Sequence, residues 1–127
     1  MLNLQGEMEP LKCRSVKFYK HYFEDFFVGQ KKKVKDKITW TLKLIEEIKS
    51  IPETYLKHLT GTDGLFEIRI QSGSDIFRIF CFFDEGNLIV LMNGFQKKTQ
   101  KTPIEEPAKA IKIKREYYEE KKRAKRP

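Results

Sequence analysis

Two arginines have the residue type and the spacing to bind a phosphate group. Arg69 lies in the alternating run Leu65 to Ile70, and Arg78 interrupts the apolar run Ile76 to Phe83. The turn residues 72–75 separate the two runs, so they are predicted to form adjacent antiparallel strands that bring both side chains to one concave face. A guanidinium fork matches the oxygens of a phosphate better than an ammonium group does. The sequence therefore predicts a phosphate-binding pair of arginines.

Each arginine is weighed against a structural alternative. Glu67 stands two residues before Arg69 on the same predicted strand face, so an ion pair between them competes with a binding role. Arg78 differs, because a charge inside an apolar strand is costly unless that face opens to solvent or to a ligand. The ligand-binding interpretation is therefore favoured at Arg78 and left open at Arg69.

A basic segment follows the last predicted strand and opens the last predicted helix. Its candidate nucleic-acid-binding residues are Lys97, Lys98, Thr99 and Lys101. Backbone amides at the start of a helix favour anions, so this segment is predicted to contact phosphate oxygens. The alternative is a solvated basic loop.

Groups for proton transfer are scarce. Of the two histidines, His58 lies on the connection that leads to the Arg69 strand, and it is the candidate catalytic histidine. The alternative for a lone loop histidine is a surface residue. Lys57 is placed with the nucleic-acid-binding residues and serves as a candidate base only if neighbouring cations lower its pKa. The general acid and base stay unassigned.

The elements that must position these residues follow from hydrophobic periodicity and from Gly and Pro breakers. Their order is β–α–α–β–β–β–α, which predicts an α+β fold with an antiparallel sheet, a covering helical hairpin and a C-terminal helix. The last strand, Leu88 to Met92, is the most apolar and is predicted to be central. The first helix is expected to stop at Gly29, and Pro103 is expected to open the last helix with Thr102 as its cap. The predicted apolar face of that helix consists of Ala108, Ile111 and Tyr118, with Ile113 or Arg115 as a further member. The predicted strands and other helices span residues 12–19, 20–30, 31–50, 65–70 and 76–83.

Composition limits the class of protein. The 127 residues fit one domain, and Lys and Arg outnumber Asp and Glu by 26 to 18, which gives a net charge of +8. This excess favours a polyanionic partner, either nucleic acid or an acidic protein. Cys13 and Cys81 match no zinc or redox spacing, so reduced thiols and the cytoplasm are expected. No apolar run is long enough to span a membrane.

The predicted domain occupies residues 11–120. Residues 1–10 are predicted to be a disordered leader, or a mis-assigned start with Met8 as the true initiator, and they lack the features of a secretory signal. Residues 121–127 are predicted to form a basic tail.

Three local strings resemble the RelE/ParE toxin superfamily, in its phage-derived HigB-like branch. They are L-x-G-x-x-G-L-F-E-I-R at Leu59 to Arg69, D-I-F-R-I at Asp75 to Ile79, and N-G-F-x-K-K-T-Q-K-T-P at Asn93 to Pro103. The resemblance covers roughly residues 11–118, and the element order is similar to the RelE-like fold.

The resemblance implies a toxin that a small antitoxin, often a helix-turn-helix protein, holds inactive in a hetero-oligomer. It also implies cleavage of messenger RNA on the ribosome, with no metal or other cofactor, through attack of a 2′-hydroxyl on the adjacent phosphate. A cyclic phosphate and a free 5′-hydroxyl would result. The strand arginines would then stabilise the charge that grows on the phosphate.

Two other functions stay open. A ParE-like inhibitor of DNA gyrase needs binding and no bond cleavage, which suits the lack of a His or Tyr between Lys97 and Glu116. A non-catalytic module that binds RNA or the antitoxin would use the same basic and aromatic surface.

Overall fold

The computed structural model describes residues 12–125, together with Gly6. The predicted leader, the Met8 start and the last two residues of the predicted tail lie outside this part of the chain. The described residues form β1 (Ser15–Phe18), α1 (Tyr22–Val28), α2 (Lys32–Glu47), β2 (Leu56–His58), β3 (Phe66–Ser72), β4 (Asp75–Asp84), β5 (Leu88–Lys97) and α3 (Glu105–Ala124). The predicted α+β fold is confirmed, with one short strand, β2, added in the connection after α2. No helix in the described residues is long and apolar enough to cross a membrane.

The five strands lie in one sheet with the order β1-β5-β4-β3-β2. Strands β3, β4 and β5 form the predicted antiparallel meander, and β2 pairs antiparallel with β3. Strand β1 pairs parallel with β5. The two helices carry the chain from one edge of the sheet to the other, and the meander then returns to place β5 beside β1. The middle strand of the sheet is β4, where β5 was predicted. Strand β5 lies next to it, and each of the two has a neighbour on both sides, so a mostly apolar sequence does not distinguish them.

Helices α1 and α2 cover one face of the sheet, which we call the hairpin face. On α2 the buried residues are Val34, Ile38, Thr41 and Ile45, which lie three or four residues apart on one side of the helix. They pack with alternate residues of the strands, among them Ile68, Ile70, Phe77, Ile79 and Leu91. Helix α1 ends at Gly29, as predicted.

Helix α3 covers part of the opposite face, which we call the α3 face. Its buried residues are Ala110, Ile113 and Tyr117, which pack with Phe80, Phe82, Val90 and Met92. The expected cap at Thr102 is wrong, because α3 begins at Glu105 after Ile104 and has no side-chain cap. Ala108 and Ile111 are exposed, so only part of the predicted apolar face is correct. The helix continues to Ala124, into the segment that was predicted as a tail.

Strand β5 contains a bulge, in which it has one more residue than the paired part of β4. The strand takes three steps from Leu91 to Gly94 where β4 takes two, from Cys81 to Ile79. As a result Met92 and Phe95, which are an odd number of residues apart, both pack on the α3 face. Gly94 faces α1 so closely that a Cβ there would lie 2.5 Å from the ring of Phe26. The strand thus runs to Lys97, past the predicted end at Met92.

Candidate active site

Arg69 and Arg78 lie directly opposite each other on β3 and β4. Both point to the α3 face, because their neighbours Ile68, Ile70, Phe77 and Ile79 pack on the hairpin face. Helix α3 packs against β4 and β5 but leaves this end of the face open. A cleft of about 510 Å³ adjoins it at the edge of β3 that β2 leaves unpaired, and the cleft extends to α2 on the other side of the sheet. It is lined by Lys37, Glu53, Thr54, Tyr55, Arg69, Ile70, Gln71, Ile76 and Arg78. The structure therefore brings the two predicted arginines together at a cleft.

Glu67 joins the two arginines. Its Oε1 atom lies 3.5 Å from Nε of Arg69 and 3.7 Å from Nε of Arg78. The predicted Arg69–Glu67 pair is present, but the same carboxylate also faces Arg78, which sequence reasoning missed. The side chains of Glu67 and Arg78 are 9% and 8% exposed, whereas that of Arg69 is 32% exposed. We call these three residues the arginine triad.

The arginine triad leaves hydrogen-bonding capacity unused. Arg78 donates from Nη1 to the carbonyl of Phe77 at 3.1 Å, while its buried Nε makes no hydrogen bond within the described residues. Burial and the charge of Arg69 lower the pKa of Arg78, and Glu67 opposes this shift. An arginine nevertheless stays protonated at any physiological pH. Two guanidiniums and one carboxylate thus give the arginine triad a net charge of +1.

Aromatic residues border the cleft beside the arginine triad. Tyr55 lines it, and its backbone carbonyl accepts a hydrogen bond of 2.8 Å from the amide of Arg69. Trp40 of α2 packs edge to face against Tyr55, with ring centroids 5.8 Å apart. Lys37 also lines the cleft, and its Nζ lies 4.6 Å from the centre of the Trp40 ring. Sequence reasoning missed these three residues, because they belong to α2 and to an irregular segment whose place beside β3 no local pattern indicates.

The profile of the phage-derived Gp49-like family (DUF891) matches residues 25–115. That match covers most of the chain and includes the whole arginine triad. The chain belongs to the Gp49-like family. This family is a known family of RelE-like toxins. No curated protein matches the chain in sequence.

Two of the predicted lysines share a sheet face with the arginine triad in this Gp49-like protein. Lys57 lies opposite Glu67, and Lys97 lies opposite Ile76 in the next row beyond Arg78. Directly opposed residues of an antiparallel pair project to the same side, so both lysines point to the α3 face. Neither lines the cleft, but both add positive charge to the surface around it.

His58 is not brought to the arginine triad. It lies opposite Phe66, and the two rings meet with centroids 5.1 Å apart. Phe66 in turn packs against Phe83 in the hairpin-face core, so His58 projects away from Arg78. The candidate role of His58 as a catalytic residue therefore finds no support in the geometry. The cleft offers other groups for proton transfer: the carboxylate of Glu53, the phenol of Tyr55 and the ammonium of Lys37.

The basic loop remains separate from the start of α3. Lys98, Thr99 and Lys101 are exposed, and the Thr99 hydroxyl donates to the carbonyl of Lys101 at 2.7 Å. The first turn of α3 carries two acidic residues, Glu105 and Glu106, which already occupy the positive end of the helix dipole. These carboxylates oppose binding of a phosphate at the helix start, so the expected help from the helix amides finds no support in the geometry.

Potential metal ligands do not cluster in the described residues. No group of three His, Cys, Asp or Glu side chains there is arranged to hold a metal ion. Cys13 and Cys81 are both free thiols, as expected, and burial raises the pKa of Cys81.

Proposed function

We propose that this Gp49-like protein is the toxin of a type II toxin–antitoxin system, in the HigB-like branch of the RelE/ParE superfamily. Its activity would be cleavage of messenger RNA on the ribosome without a metal. The observation that carries the proposal is the pair of Arg69 and Arg78, which lie opposite each other on the sheet, line one cleft and carry a net positive charge together with Glu67. Preorganised cations of this kind stabilise the charge that develops on a phosphate during attack by the 2′-hydroxyl.

The distribution of charge supports an RNA substrate. Arg69 and Arg78 share their face with Lys57 and Lys97, so several phosphates of one strand can meet cations on the same surface. Such contacts supply much of the affinity for single-stranded nucleic acid. Glu53, Tyr55 and Lys37 are the groups in reach for moving the protons of the reaction.

The proposed partner is a small antitoxin that covers the basic α3 face. A helix-turn-helix protein with an acidic segment fits this face, and it would form a hetero-oligomer with the toxin. Because the bound antitoxin would block the cleft, the toxin must be freed of it before cleavage is measured. The cytoplasm is the proposed compartment, supported by two free thiols.

The decisive experiment is in-vitro translation of a short message, with the RNA ends mapped by primer extension. We expect new ends that require ribosomes, carry a free 5′-hydroxyl and disappear with Arg78→Ala. Arg78→Lys separates the loss of forked donors from the loss of charge, and Arg115→Ala, an exposed arginine of α3, is the matched control. Intact RNA under conditions where the wild-type protein arrests growth would overturn the nuclease proposal.

Inhibition of DNA gyrase is the second candidate, favoured by the position of His58 on the other face of the sheet. A gyrase inhibitor needs a binding surface and no proton transfer. Plasmid DNA cleaved by purified gyrase only when the protein is present would support this alternative. A protein that binds RNA without producing new ends, and that leaves gyrase unaffected, would be a non-catalytic module.

A further inference from the structure

We propose that Tyr55 is a stacking platform for a nucleobase next to the phosphate held by Arg69 and Arg78, with Trp40 packed against its ring. This inference rests on the proposed function, because it assigns a substrate subsite in the same cleft. The ligand class is single-stranded RNA with one base turned out of its stack.

The backbone fixes the spacing between the platform and the arginines. Tyr55 precedes β2, and its carbonyl accepts the hydrogen bond from the amide of Arg69. A second hydrogen bond of 2.9 Å, from the amide of Tyr55 to the carbonyl of Pro52, holds the turn before it. Tyr55, in the turn just before β2, and Arg69, on β3, are therefore held at a fixed spacing by backbone hydrogen bonds and line the same cleft.

Trp40 is not needed for the core. The buried side of α2 consists of Val34, Ile38, Thr41 and Ile45, whereas Trp40 is 48% exposed. A large apolar side chain that is half exposed beside a cleft is informative, because binding surfaces retain such residues. Its edge-to-face contact leaves the orientation of Tyr55 restricted before any ligand arrives. The pair thus has the rigidity that a stacking site requires.

The surrounding charges suit a nucleotide. Lys37 lies over Trp40 and lines the cleft, so it places a third cation near the aromatic pair. Glu53, Thr54 and Gln71 supply polar groups along the same cleft. An aromatic ring accepts any base, because every base has a π face, while polar groups at the base edge give a preference among bases. The subsite is therefore expected to require a base and to tolerate several kinds.

The test measures binding without cleavage. The probes are a short 2′-O-methyl oligoribonucleotide with a fluorescent label and an abasic backbone of the same length and charge. We expect the wild type to bind the abasic probe roughly tenfold more weakly in fluorescence anisotropy, a difference typical of one stacked base. The base-bearing probe should also change the emission of Trp40, which is the only tryptophan of the chain.

Three variants isolate the ring. Tyr55→Leu should bind both probes equally, and Tyr55→Phe should restore the preference for the base-bearing probe. Phe18→Leu, at a 50% exposed aromatic on β1 at the other edge of the sheet, should behave as wild type. Equal binding of the two probes by the wild type, or an unchanged preference in Tyr55→Leu, would overturn the subsite.

Cleavage on the ribosome separates this inference from the proposed function. If Arg78-dependent cleavage persists at the wild-type rate in Tyr55→Leu, the nuclease stands and the stacking subsite fails. If base-dependent binding requires Tyr55 but no RNA is cut, the subsite stands and the nuclease fails.

Discussion

Two buried charges on the α3 face of β4, Asp84 and Arg78, differ in how fully hydrogen bonds satisfy them. Asp84 accepts hydrogen bonds from Tyr117 at 2.7 Å, Lys121 at 2.8 Å and the amide of Glu85 at 2.9 Å. Arg78 makes one hydrogen bond, to a neighbouring carbonyl, and shares Glu67 with Arg69 at longer distances. We call the first group the Asp84 cluster and compare it with the arginine triad.

The difference between the two groups lies in what covers them. Helix α3 closes over the Asp84 cluster, where Tyr117 and Lys121 saturate the carboxylate and attach the helix to β4. The arginine triad is not saturated in this way by any residue in the described part of the chain, and its two arginines line a cleft instead. A saturated buried charge stabilises the fold, whereas one with unused donors is available to a ligand. The same face of one strand thus serves structure at one end and binding at the other.

The largest expected effect is on catalysis. Arg78→Ala should lower the rate of ribosome-dependent cleavage roughly a thousandfold, or about 4 kcal/mol, because it removes donors to the reacting phosphate. Lys121→Ala removes the cation of the Asp84 cluster and should leave the rate per folded molecule unchanged. Primer extension over a time course gives both rates, and circular dichroism gives the folded fraction. Similar losses of cleavage rate in the two variants would contradict the distinction between the arginine triad and the Asp84 cluster.

Glu67→Gln tests whether the triad receives an anion. The buried Arg78 loses its counter-charge, so the free energy of unfolding should fall by on the order of 3 kcal/mol in urea. Sulfate should restore part of this loss at matched ionic strength, because it binds the folded state in place of the carboxylate. Asp84→Asn is the control, and its loss should not respond to sulfate. If sulfate restored the same amount of stability to both variants, the arginine triad would not be a specific anion site.

Low pH should destabilise the fold through protonation of Asp84 in the Asp84 cluster. Burial acts to raise the pKa of Asp84, but hydrogen bonds from Lys121, Tyr117 and the amide of Glu85 outweigh burial and lower the pKa to about 2. A depressed pKa in the folded state contributes stability above the unfolded value, and this contribution is lost as pH falls from about 4 towards 2. We expect a loss of about 2 kcal/mol over that window, measured by urea unfolding. A curve for Asp84→Asn that is as steep as the wild-type curve would refute this.

The smallest effect is expected at the exposed loop. Replacing Lys98 and Lys101 with alanine should weaken RNA binding by less than about 1 kcal/mol at physiological salt. The slope of log affinity against log salt should become shallower by about 0.7 for each phosphate that the loop no longer neutralises. Anisotropy titrations at several salt concentrations measure this slope. An unchanged slope would show that the loop stays solvated in the complex.

The sequence was sufficient for the arginines and insufficient for their surroundings. Arg69 and Arg78 could be placed together because strict alternation and a short turn determine which residues face each other. The contact of Glu67 with Arg78 depends on the register between two strands, and Tyr55 reaches the cleft through an irregular segment. Neither has a local sequence pattern.

His58 and the end of β5 show the same limit. The direction of His58 depends on the pairing of β2, a strand of three residues that is too short to show alternation. The bulge in β5 breaks the alternation after Leu91, so a periodic pattern predicts a strand that ends too early. The overall element order was predictable, because the long amphipathic helix and the apolar strands each carry a clear period.

The parallel pairing of β1 with β5 has a consequence for how the chain folds during synthesis. Ser15 pairs with Leu88, and α1 packs largely on β5 as well. Most of the surface on which the first strand and the first helix dock is therefore completed only when the last strand has left the ribosome. Contacts between such distant parts of a chain form slowly and all at once, because loop closure must come first. A nascent chain that ends before β5 lacks the strand that pairs with β1, so we expect premature termination to leave β1 unpaired and α1 largely undocked.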